Sequence, residues 1–218
     1  MLKLVLVLII SINICLIARE ADSSKAPIKQ INETQFQLDN IFIDVAKQEV
    51  MLPAAVNMKD GLVEVFLCAR GGKVHESVFV AEVVPYYLQV ALILIGLKDG
   101  HDDLYKSSKF RVKGDSVEIW VDWKTAGVTH SYRAEELIWN MTADTTMRKT
   151  SWVFTGSWVE QGRFIADDVK SLVTTYNDRA AIIDNPLTTG QNDEVYRANK
   201  KVLPTKETAV RITIKANQ

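Results

Sequence analysis

The sequence predicts a β-rich α+β domain: antiparallel hairpins packed around one buried apolar helix at about 85–96, with a short second helix at about 133–140. Three observations predict it. Apolar and polar residues alternate in short runs, most cleanly in Val117–Trp123 and Val210–Lys215. Turn residues separate the runs. One segment, Pro85–Gly96, breaks the pattern: it starts with Pro, ends with Gly and is apolar almost throughout, the asymmetry expected of a helix.

Taken in order, Ile41–Ala46 and Glu49–Leu52 read as strands. Pro53 has no N–H for a ladder and is expected to end the second. Leu62–Ala69 and Glu76–Val83 flank Arg70-Gly71-Gly72-Lys73 and read as a hairpin. In the helix Gln89 is the one strongly polar residue, so burial on several sides is expected. At 1.5 Å per residue it spans about 15 Å, too short to cross a bilayer. In the next strand Val117, Ile119, Val121 and Trp123 form an apolar face, while Glu118, Trp120 and Asp122 point the other way. Arg133–Asn140 reads as the second helix, with Leu137 and Ile138 inward. Trp152–Val159, Val169–Tyr176 and Val210–Lys215 complete the strands.

The 218 residues are 47% hydrophobic with a net charge of -1. That excludes wholesale disorder and a polytopic membrane protein. The charge balance gives nucleic-acid binding no electrostatic support. Met1–Ala18 reads as a signal peptide. Lys3 precedes an apolar run, Leu4–Ala18, broken only by Ser11 and Asn13, and Arg19 begins a polar stretch. The run is short of the roughly 20 residues of a membrane span. Cleaved, it delivers the chain to the periplasm or cell envelope; retained, it is an anchor and the only expected membrane contact. Residues 19–37 read as a polar tether and 38–218 as one domain. Cleavage removes Cys15 and leaves Cys68 alone in the apolar run Val63–Ala69. A core thiol is expected, with no intrachain disulfide.

The string Pro53–Glu64, followed by Gly72–Ser77 and by Leu94-Ile95-Gly96-Leu97, is distinctive in combination with Gly156-Ser157, Phe164–Asp167, Tyr176–Asp178 and Ala181–Leu187. Together these resemble the YdjY-domain family of bacterial proteins, many of them exported. The likeness runs from about 40 to 216. The resemblance implies no particular activity. Some relatives carry an added cysteine-rich iron–sulfur segment, which this chain lacks. A cluster needs four ligands, and one cysteine remains after processing, so no cofactor is expected.

His75-Glu76-Ser77 is the sharpest chemical feature. An imidazole beside a carboxylate can relay a proton or bind a metal. On a strand, however, His75 and Ser77 would share one face and Glu76 the other. His101 and His130 show no metal spacing, and the identity of any metal is open. Asp167, Asp168, Asp178 and Asp184 surround turns and read as turn caps. Trp120, beside Glu118 and Asp122, is a candidate ligand platform. The residues therefore predict a non-catalytic envelope domain binding a partner or small ligand, with His75, Glu76, Ser77 and Trp120 as candidate binding residues. The alternative is a metal-dependent or hydrolytic enzyme centred on His75, Glu76 and Ser77.

Overall fold

The computed structural model describes residues 28–100 and 112–217; the leader and His101 lie outside the described residues. Its strands are β1 (Ile28–Gln30), β2 (Gln35–Leu38), β3 (Ile41–Asp44), β4 (Glu49–Val56), β5 (Val65–Ala69), β6 (Ser77–Ala81), β7 (Ser116–Thr125), β8 (Val128–Arg133), β9 (Ile138–Asn140), β10 (Thr145–Thr146), β11 (Trp152–Phe154), β12 (Val159–Glu160), β13 (Arg163–Phe164), β14 (Ser171–Thr174), β15 (Ile183–Asp184), β16 (Tyr196–Ala198) and β17 (Ala209–Ala216). The described α-helices are α1 (Pro85–Leu94) and α2 (Ile165–Val169).

Eight strands pair in the order β4-β17-β7-β11-β15-β14-β5-β6, and β6 returns to β4. The sheet thus closes into a barrel, which corrects the expectation of hairpins wrapped around a helix. Closure removes open edges, and an eight-stranded barrel is just wide enough for side chains to fill. Phe66 meets Phe79 edge-on at 5.2 Å and lies 5.9 Å from Trp152, all three fully buried. β1, β2 and β3 extend the sheet beyond β4, and β8 pairs with β7. Within residues 19–37, read from sequence as a tether, Ile28–Gln30 forms β1 and the stretch from Gln35 opens β2.

The alternation in β7 stands: Val117, Ile119, Val121 and Trp123 are buried. Ala126 and Gly127, both with positive φ, turn the chain directly into β8. Cys68 is fully buried in β5, as expected. Four expectations change. Pro53 does not end its strand. β4 pairs with β3 through Met51 and with β6 from Ala54, and Pro53 lies at the change of partner while pairing with β17 continues. A residue without an N–H is tolerated at such a break.

β5 and β6 are parallel, not a hairpin. Residues 70–76 run back along β5 so that Ser77 starts beside Val65. Parallel neighbours usually need a dozen or more linking residues. The short return here turns at Gly71, with φ +82, and at Gly72, where a Cβ would stand 2.6 Å from the Lys170 Cβ.

Helix α1 starts at Pro85 and ends in a Schellman motif: Leu97 N–H bonds the Leu92 carbonyl and Gly96 N–H bonds that of Ile93. It packs against β3, β14 and α2 through one face, with Leu88, Ala91 and Leu92 buried. The expected burial on several sides fails: Tyr86, Ile93 and Leu94 are 44%, 49% and 42% exposed. The barrel's core is filled by its own strands, so the helix caps it from outside. The second expected helix is also absent. Ala134–Leu137 forms one 3₁₀ turn, and Ile138–Asn140 continues as β9, paired with β10 and β16.

Candidate functional site

Two surfaces come into question, a groove over the β4–β6 seam and the His75 turn beside it. The groove is built on β4. Its outward positions carry short side chains, Pro53 and Ala55, next to Val80 of β6. Two walls are pinned to the end of β4. On one side Asn57 donates its amide to the carbonyls of Val74 (2.5 Å) and Ser77 (2.8 Å), holding the 70–76 return segment in place. On the other, Glu207 N–H bonds the Val56 carbonyl at 2.7 Å and Val56 N–H bonds that of Thr208. Small floor residues between raised walls leave a recess of about 530 Å³. That is within the ~300–1,000 Å³ of small-molecule sites. Arg70 and Glu82 close one rim as an ion pair, with Lys206 and Glu207 opposite. The Arg70 hydrogen bond holds the Glu82 carboxyl below the usual carboxylate range. The lining is apolar with charged edges.

The His75 turn adjoins it. Val74–Glu76 is a 3₁₀ turn and Ser77 opens β6. The expected strand geometry, with His75 and Glu76 on opposite faces, is therefore corrected: His75 Nε2 lies 3.6 Å from Glu76 Oε2. Lys73 reaches Glu76 at 3.2 Å and Glu64 at 3.6 Å. Burial, then the neighbouring Glu76, pushes the Glu64 carboxyl up, with Lys73 partly offsetting both. Burial opposes the Lys73 charge, but the bond to Glu76 and the charges of Glu76, Asp178 and Glu64 outweigh it and raise its pKa.

Ser77 is not brought to this turn's surface. It is fully buried, donates its hydroxyl to the Lys73 carbonyl at 2.6 Å and neighbours Cys68. It cannot reach a substrate alongside His75, whose side chain is 78% exposed. Trp120 does lie with Glu118 and Asp122 on the outer face of β7. Its indole donates to Glu118 at 3.3 Å, and Arg133 sits 5.8 Å over its ring. Glu118 pairs with Arg133, and Asp122 with Arg211. Arg133 thus covers part of the ring, while Trp120, Asp122, Ser131, Thr213 and Lys215 line a shallow recess of about 230 Å³.

His130 stacks on Trp123 at 5.5 Å. Among the described residues no group of three or more His, Cys, Asp or Glu side chains converges as a metal site. No described helix is long and apolar enough to cross a membrane. Of the four acids, Asp178 caps Ala180 N–H and Asp167 accepts from Tyr86 N–H at the start of α1. Asp184 departs from the turn-cap expectation. It is fully buried, with Oδ1 accepting from Thr174, Asn177 and Asn185 and Oδ2 without a partner. Burial pushes its carboxyl up to about 7 against those hydrogen bonds.

The model of the YdjY domain matches residues 41–215, from the start of β3 to within one residue of the end of β17. The chain belongs to the YdjY-domain family. No curated protein and no solved structure matches it. The matched span of the YdjY domain contains the whole barrel, the groove and the His75 turn. The groove itself went unread in the sequence. Its one signal was Pro53-Ala54-Ala55, a run of short side chains inside a strand.

Proposed function

We propose that this YdjY domain is an exported, non-catalytic binding module of the cell envelope, and that its ligand or partner seats in the groove over the β4–β6 seam. The observation that carries the reading is the recess of about 530 Å³, with its short-side-chain floor and pinned walls. Export rests on the leader-like Met1–Ala18. A photo-crosslinking residue at Val80, compared with one at the distant, exposed Val128, tests the assignment in cells. The expected result is a discrete adduct from position 80 only, lost when Ala55→Trp fills the floor. Equal labelling from both positions would contradict it. The mass of the mature chain tests export, which predicts removal of the leader.

A second reading is favoured by the 3.6 Å approach of His75 to Glu76: hydrolytic or metal-assisted chemistry at that turn. Metal analysis of the purified protein beside His75→Ala separates it from the first. Bound metal lost in the variant would support the second reading.

A further inference from the structure

A second recess lies away from the groove, on the three-stranded sheet formed by β10, β9 and β16. Trp139 of β9 and Arg197 of β16 are direct cross-strand partners, so their side chains share one face. Lys200 and Lys201 follow β16 in the next turn. The Lys201 ammonium rests 4.1 Å over the Trp139 ring. Trp139, Arg197, Lys200 and Lys201, with Asp144 at the edge, line a hollow of about 230 Å³.

The charge here is unbalanced. Asp60 serves two cations at once: one oxygen pairs with Arg197 and the other with Lys200 at 3.1 Å. Those two hold its carboxyl below the usual range, Lys200 first. Lys201 has no carboxylate within ion-pair distance among the described residues, and the Arg197 Nε–H has no acceptor. Three cations therefore face Asp60 and Asp144, and the loosest of them is parked on an aromatic ring. The indole is half-buried and the ammonium over it has no carboxylate to fix it there, so an incoming anion can draw it away. The bared ring is flat and apolar with a polar edge, suited to the C–H face of a sugar. The hollow is smaller than a drug-sized pocket and matches a single ring.

We propose that this recess binds an acidic sugar residue. Its carboxylate or phosphate is held by Lys201 and the Arg197–Lys200 pair, and its ring is packed on Trp139. The site is independent of the groove on the β4–β6 seam, and its failure leaves that assignment untouched. The test is a titration of the full chain, followed by tryptophan fluorescence and by NMR of the Trp139 indole. The probes are galacturonic acid, galactose 6-phosphate, neutral galactose and inorganic phosphate. Both acidic sugars are expected to shift the Trp139 signal and to bind at least about tenfold more tightly than galactose or inorganic phosphate. Lys201→Gln, at an exposed position, is expected to remove most of that preference while leaving the fold intact. Arg197→Gln is expected to do the same. Equal binding of galactose, equal binding of inorganic phosphate, or an unchanged preference in Lys201→Gln would each overturn the proposal. So would the absence of any response at Trp139.

Discussion

Asp184 sits where a charge is costly. Its carboxyl is wholly buried, one oxygen takes three hydrogen bonds and the other none. Burial lifts it to about 7, against about 3.9 for a free aspartate. The folded chain therefore holds a proton that the unfolded chain has already released. The contribution is fully present below about pH 4 and is lost as pH rises through about 7. Urea midpoints measured across that range should fall with rising pH, and Asp184→Asn, which resembles the protonated form, should flatten the fall. A wild-type midpoint that rises over the same window would contradict this assignment. Arg133 is the opposite case, a buried cation fully matched: it bonds Glu135, Glu118 and the Thr150 carbonyl. Arg133→Met strands the buried Glu135 and should cost about 3–5 kcal/mol in denaturant unfolding. Neither burial was legible in the sequence, where Asp184 reads as a turn cap and Arg133 as the start of a helix. Burial of a carboxylate or a guanidinium is decided by loops that fold over it, and Asp184-Asn185-Pro186 reads as an ordinary turn until Asn177 is placed against it. His75 was legible as exposed chemistry. Its facing Glu76 was not, because a strand was expected where a 3₁₀ turn forms.

At the scale of elements, periodicity carried what it could. β7 and β17 alternate because one side faces the core, and their sequences say so. Pro85 and Gly96 marked the ends of α1 correctly because both act locally, through a fixed φ and a left-handed cap. The burial of α1 was not legible. An apolar helix reads as buried all round, yet a filled barrel has no room for it, so it rests on the outside by one face. Two substitutions separate the faces. Leu92→Ala should cost about 2–5 kcal/mol, and Ile93→Lys should change stability by less than about 0.5 kcal/mol. Similar costs at both positions would mean that something covers the outer face. The parallel pairing of β5 and β6 was hidden too. Two strand-like runs around Gly71-Gly72 look like a hairpin in any sequence, and only the return of Ser77 to Val65 shows otherwise.

For the whole molecule, closure of the barrel is what makes the groove. β6 reaches β4 only in its second half, after β3 has left it at Met51. The seam puts Pro53 and Ala55 outward between the 70–76 segment and the 205–207 loop. A barrel assembled from distant parts of the chain is not written in local pattern, since β17 pairs with strands far from it in sequence. The family resemblance was readable because it needs only the strings themselves, and it spans the domain. The most direct measurement is an amide NMR map of the ¹⁵N-labelled chain titrated with the small-molecule fraction of a cell-envelope extract. A recognition groove predicts shifts confined to Ala54–Asn57, Val80 and Lys206–Glu207 that vanish in Ala55→Trp. Shifts centred on His75 and Glu76 that survive Ala55→Trp and vanish in His75→Ala would contradict it.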